Sequence, residues 1–272
     1  MTERPDDQGG AVPGARRASV ADLLRTEIEV IWPTDARGRF RGPHHMVIAV
    51  SADGRHQLPA VADHLPDPLA AGLLAAVTPR SAPVAPELPP PALPRVQHLL
   101  EAALGPVHVS SGPSYLVLPD RIRYAPTAPV VRSDTTDSAA VAALRGANPG
   151  NWDTDAWRDL LDGKLGWWAM ALDPAAPAPD TGRPAHVVSI CHTPCWTDHG
   201  AEAGTWTRPG HRGRGHAATV TAAWSRLVAP TGRHLFYSTS STNQSSRNVA
   251  ARLNLPPLGH LWKLSPPAGI AL

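Results

Sequence analysis

The stretch of this chain best suited to chemistry is Arg212-Gly-Arg-Gly-His-Ala217, placed between an apolar strand that ends at Trp206-Thr207 and an amphipathic helix that starts near His216. With no side chains at Gly213 and Gly215, a phosphate can come close to the backbone N–H groups. The helix N-terminus and the guanidinium groups of Arg212 and Arg214 add positive potential. A pyrophosphate is the natural guest of such a turn. A second cluster, Cys191-His192-x-x-Cys195-x-x-x-His199, puts four possible metal ligands in nine residues. Its compact spacing places Cys191 and His192 on opposite faces of any strand running through them, so it reads as a structural turn and no metal is assigned. Cys191 as an acyl-carrying nucleophile would need an activating base in the fold.

Three readings compete for the glycine turn. The letters Gly213-x-Gly215-x-x-Ala218 satisfy a dinucleotide fingerprint, but the following strand, Tyr237-Ser-Thr-Ser-Ser-Thr-Asn243, brings no carboxylate where a nicotinamide site wants one. An Arg/Gly surface turn is the bland alternative, although two glycines at a helix start cost stability without a use. The third reading rests on Arg212-x-x-Gly215-x-Ala217 at a strand-to-helix junction, which resembles the acyl-CoA pyrophosphate loop of the GNAT N-acetyltransferase superfamily. The likeness extends on both sides. Glu202 to Ala217 resembles the family's fourth strand and third helix start, and Tyr237 to Leu253 resembles its fifth strand and fourth helix.

The resemblance implies an α/β (α+β) fold over about residues 129–272, with a mixed, mostly antiparallel sheet flanked by helices. It also implies acetyl-CoA as cofactor and direct attack of a substrate amine on the thioester, with no covalent enzyme intermediate. Glu202 matches a position where members often carry a glutamate, and is the candidate general base. On a strand it shares a face with Gly204 and Trp206, whose apolar bulk can raise its pKa. Backbone groups at Trp206 and Thr207 are implied to hold the pantetheine arm and polarise the carbonyl. Arg212, Gly213, Arg214, Gly215, His216 and Ala217 are implied to hold the pyrophosphate. Asn243 matches an asparagine that contacts the arm and also suits a helix N-cap. A tyrosine seven residues further on is the family's usual proton donor, but here that position is Ala250. On local grounds Tyr237 and Ser246, the latter also a cofactor contact, are substitutes; a water is another.

These residues need elements to position them. From Pro129 onward the pattern predicts strand Val130–Val131, helices about 138–145 and 153–161, and strands 167–172, 186–191 and 202–207. A helix 216–228, a strand from Leu235, a helix 244–253 capped by Asn243 and a strand 260–264 follow. A Pro- and Gly-rich loop spans 173–185, and Trp152, Trp157, Trp167 and Trp168 read as core or as a wall of the acceptor pocket. Upstream, residues 1–18 read as a loose tail. Residues 19–82 form an N-terminal α/β region with a helix at 20–31, strands 45–51 and 55–60 and a helix at 68–77. The connector 83–95 holds six prolines in thirteen positions. Residues 96–128 complete that region with a helix 96–104 and a pair of strands, 107–110 and 114–118. No chemical motif is found in this half, which is expected to pack against the rest or wall a pocket.

Composition narrows the classes. With 42% hydrophobic and 18% charged residues the 272-residue chain lies far from the disordered regime. Its charge of +2, with no run of five like charges, disfavours a nucleic-acid partner. No uninterrupted apolar run of about 18 residues argues for a membrane span, and two cysteines are too few for a secreted disulfide framework, so a cytoplasmic protein is expected. The expected function is acetyl transfer from acetyl-CoA to an amine of a small molecule, a homodimer being an open option. The alternative is a non-catalytic acyl-CoA-binding or regulatory protein.

Overall fold

A computed structural model describes residues 18–78, 82–135, 138–176 and 185–267. The expected tail falls outside the described residues except for Ala18, and so do residues 177–184 of the expected loop. The helices are α1 (Val20–Ile31), α2 (Asp67–Ala76), α3 (Leu93–Leu104), α4 (Ser138–Arg145), α5 (Thr154–Leu161), α6 (His216–Val228) and α7 (Gln244–Arg252). The strands are β1 (Met46–Ser51), β2 (Gln57–Val61), β3 (His108–Val117), β4 (Val130–Arg132), β5 (Trp168–Leu172), β6 (Val187–Trp196), β7 (Gly200–Thr207), β8 (His234–Ser238) and β9 (Pro257–Ser265).

Three expectations change. The two strands expected at 107–110 and 114–118 are the single strand β3, which runs through Gly112 and Pro113. A Cβ on Gly112 would lie 1.7 Å from the Thr239 carbonyl oxygen, so the glycine lets the chain beyond β8 come alongside β3. The turn expected at Cys191–Cys195 is strand, with an irregularity between His192 and Cys195 that keeps both ends of β6 paired with β7. The proline-rich connector ends early, because α3 starts at Leu93 with Pro94 in its first turn, where a missing N–H costs nothing.

Among the described residues the nine strands form one sheet in the order β2-β1-β9-β3-β8-β7-β6-β5-β4. Every neighbour is antiparallel except β7 and β8, which run parallel. β3, from before Pro129, lies between β9 and β8, so strands of the two sequence halves interleave. Helix α1 is held by a reciprocal capping box between Ser19 and Asp22 and buries Leu23, Leu24, Ile28 and Val30. It crosses the face of β7: a Cβ on Gly200 would lie 2.8 Å from both Val30 and Phe236.

Three cores result. One joins α1, α2 and α3 to β1, β2 and β9 through Leu24, Leu73, Leu100 and Trp262. A second joins α6 and α7 to Ala201, Ala203, Leu235 and Tyr237. The third joins α4 and α5 to β5 and β6 through Leu144, Trp157, Trp168 and Ile190. Helix α6 is anchored as well as packed, because the buried Trp224 donates to Thr193 Oγ1 at 2.9 Å. None of the described helices is long and apolar enough to cross a membrane.

Candidate functional site

The site grows from a fork in the sheet. β7 and β8 pair only over Gly200–Glu202 and His234–Phe236; beyond that, β8 stays with β3 while Gly204–Thr207 stay with β6. On the side toward the opening, the backbone groups of 203–207 have no strand partner among the described residues, the Thr207 carbonyl accepting only from Arg212 Nε at 3.3 Å, so an extended chain could pair with them as a strand does. Residues alternate across β7, so Ala201 and Ala203 face α6 and α7 while Glu202, Gly204 and Trp206 face the other way. On the α6–α7 side, Tyr237 Oη lies 3.5 Å from Thr205 Oγ1 and 3.4 Å from the Ser246 carbonyl. Burial pushes the Tyr237 phenol above its ordinary value, so it holds its proton at neutral pH.

On the α1 side, at the last paired residue of β7, stands Glu202. Its Oε1 accepts from the Ser238 N–H at 2.6 Å and from the Ser238 hydroxyl at 2.8 Å, while the buried Oε2 has no partner among the described residues. Burial pushes the carboxyl up to about 7 against the pull of the two Ser238 bonds. On β3, directly opposite Ser238 in the ladder, Ser114 donates its hydroxyl to Oε1 of a second buried carboxylate, Glu27 of α1. Glu27 Oε2 is likewise partnerless. Burial first, and the Glu202 charge second, push Glu27 well above the usual carboxylate range. Glu202 is therefore the first of the two to ionise, and Glu27 keeps its proton. Glu27 is a site residue that motif reading missed. The one signal was its place on the apolar stripe of α1, three residues after Leu24 and one before Ile28.

The glycine turn lies beyond the far end of β7. After a 3-10 turn at Pro209–His211 the chain passes through Gly213 at φ +78° and Gly215 at φ +89°, left-handed conformations that favour glycine. Gly215 is the N-cap of α6 and offers no side-chain cap, so the first N–H groups of the helix stay open to a ligand. They border a cavity of about 90 Å³ lined by Thr207, Arg212, Gly213, Gly215, His216 and Ala217, and closed on the α7 side by Asn248 and Arg252. Tyr124 holds the Gly215 carbonyl at 3.1 Å, and Thr127 bonds the His216 ring at 3.0 Å, which fixes the turn from below.

Six of the residues expected for the phosphate or the arm thus meet at one cavity, while others go elsewhere. Arg214 is exposed and does not line it; His211 and Arg252, which the motif did not indicate, do. The Trp206 ring packs toward Trp152 in the third core, and its carbonyl already accepts from Ser189 at 2.8 Å. Asn243 caps α7 by accepting from the Ser246 N–H at 3.1 Å. Ser246 meets Tyr237 through its carbonyl. Ala250 is fully buried and offers no acid. Cys191 is buried in the second core and Cys195 packs on the first, so the two thiols lie in different layers, and burial pushes the Cys191 thiol far above its ordinary value, against a nucleophilic role.

No family model matches the chain, and no curated protein does. Solved structures similar to it include an acetyltransferase of the GNAT family from Colwellia psychrerythraea, at 15% identity and TM-score 0.45 over 92% of this chain and 97% of that one. A structure from Novosphingobium aromaticivorans assigned to the same family is 21% identical, with TM-score 0.39 over 78% and 84% of the two chains. A GCN5-related N-acetyltransferase from Kribbella flavida is 18% identical, with TM-score 0.42 over 66% and 65%.

Proposed function

We propose that the chain is an acyl-CoA-dependent N-acyltransferase that uses acetyl-CoA to acetylate an amine, that of a small molecule in the first instance, in the cytoplasm. The observation that carries the reading is the fork: the β7 edge freed beyond Glu202 leads directly into the uncapped, glycine-lined start of α6. An extended pantetheine arm fits the first and a pyrophosphate the second. When bound, the thioester supplies an activated acyl carbon and a thiolate leaving group.

The remaining steps belong to the chain's own residues. The N–H groups at the start of α6, together with Arg212 and Arg252, hold the phosphates. The open N–H groups of 203–207 orient the arm and the carbonyl to be attacked. An alkyl ammonium, with a pKa of about 10, must lose a proton before it can attack. Glu202 takes that proton at Oε2, the oxygen not occupied by Ser238, and does so increasingly as pH passes about 7. On the other side of the fork Tyr237 holds a proton at Oη for the departing sulfur. In this reading base and acid act from opposite faces of the sheet.

A second reading, an acyl-CoA binder without catalysis, draws on two observations: α1 covers Glu202, and Ala250 stands where the family places its acid. Assay of free CoA thiol released from acetyl-CoA with a broad amine panel separates the two. Turnover with any amine supports the enzyme. Tight CoA binding without thiol release for every amine supports the binder.

A further inference from the structure

We propose that Asp173, His186 and His211 form a binding site for a transition-metal dication of the zinc type beside the glycine turn. The three come from separate segments: Asp173 follows β5, His186 precedes β6, and His211 ends the 3-10 turn after β7. One candidate ligand atom from each lies within 4.8 Å of the others, and no second group of three His, Cys, Asp or Glu among the described residues comes so close. Two donors at about 2.0–2.2 Å from a tetrahedral zinc are roughly 3.3 Å apart, so small side-chain movements would close this cluster on an ion.

Two further observations point to a ligand. Among the described residues the buried His211 Nδ1 has no hydrogen-bond partner, so a ring nitrogen of this cluster is left for an ion to satisfy if the ring presents it there. The Asp173 carboxylate is already oriented: Oδ1 accepts from the Ala175 N–H at 3.0 Å, leaving Oδ2 toward His186 Nδ1 at 3.1 Å. Such outer bonds typically fix a metal-binding carboxylate. The rings of His186 and His211 stand 5.6 Å apart at 77°, not stacked on each other. The His186 side chain is 44% exposed, which leaves an entry path for a hydrated ion.

Two imidazoles and one carboxylate suit zinc and its neighbours rather than magnesium or calcium, and three protein ligands leave a fourth position for water or an incoming oxygen. His211 also borders the cavity of the glycine turn. A bound ion would therefore both brace that turn and add positive charge at its rim.

The test needs no cofactor. The full chain, stripped with a chelator and desalted, is titrated with cobalt(II) chloride and followed by its visible d–d absorption, with zinc chloride as competitor. One equivalent of cobalt should give bands stronger than those of the aqua ion, and zinc should abolish them. His186→Ala and His211→Ala should each weaken cobalt binding by more than the ~10-fold to ~100-fold that loss of an outer-shell partner costs. His199→Ala and Cys195→Ser should leave it unchanged. Should His211→Ala fail to fold, the more exposed His186→Ala carries the result alone. No strong band at one equivalent, a band that survives His186→Ala, or an equal loss in His199→Ala would overturn the site.

Discussion

Two buried carboxylates, Glu202 from the C-terminal half and Glu27 from the N-terminal half, are held alike and titrate apart. Each receives a serine hydroxyl on Oε1 and has a partnerless Oε2, and the two serines face each other across the β3–β8 ladder. Glu202 receives in addition a backbone N–H and keeps 7% exposure, whereas Glu27 has neither. Those differences let Glu202 ionise near neutrality, while burial first and the Glu202 charge second hold Glu27 neutral. The half without a motif thus roofs the fork with α1 and sets the electrostatic background of the residue that the motif indicates.

The sharpest way to break that division is through the glycines. Gly215→Val would place a branched side chain at φ +89° with its Cβ 2.4 Å from Tyr124 Oη. Displaced phosphate contacts should cost about 3 kcal/mol, roughly a hundredfold in CoA affinity by calorimetry. Unchanged affinity would remove the turn from the site. Stability should fall by about 1–2 kcal/mol in the same variant, because a residue other than glycine is strained there.

Glu202→Gln keeps the acceptor for Ser238 but removes the base. Turnover should drop on the order of a hundredfold, with partial recovery at high pH, where more of the amine is already neutral. In the wild type, activity should rise with pH through about 7, as Glu202 loses its proton. Equal rates for both proteins between pH 6 and 10 would take Glu202 out of the chemistry.

Gly112→Ala addresses the other half. The added Cβ meets the Thr239 carbonyl, so stability by denaturant titration should fall by about 3 kcal/mol, while the folded fraction keeps its CoA affinity. A selective loss of CoA binding instead would give β3 a direct part in the site.

The smallest effect is expected of Glu27→Gln. A group that is already neutral is replaced by a neutral isostere, so turnover should stay within about twofold and its pH profile should not move. A shift of that profile to lower pH would mean that Glu27, not Glu202, carries the charge. The pair also sets a stability slope. Glu202 binds its proton more tightly folded than unfolded, so its contribution is greatest below its ordinary value of 4.5 and is lost as pH rises toward about 7. Melting curves of Glu202→Gln should fall less steeply across that window than those of the wild type, the decline that remains being the share of Glu27, whose proton is also held more tightly when folded.

The local devices follow from short stretches of sequence. The order of elements from Pro129 onward, the glycine turn, the start of α6 and the Asn243 cap are legible because each depends on a few neighbouring residues: glycine at positive φ, a helix stripe, a capping side chain. The placement of Glu202 on a strand was legible too, and only its raised pKa needed the burial that the fold supplies. Tertiary structure alone decided the rest. Glu27 meets Ser114 across 87 residues, and Glu202 meets Ser238 across 36. The first exists because β3 enters the sheet beside β8, and the second because β8 lies parallel to β7. The split of the Cys191–Cys195 segment between two cores, and the meeting of Asp173, His186 and His211, follow from the same assembly. No local spacing encodes which strand becomes whose neighbour, because that choice comes from burying whole faces at once.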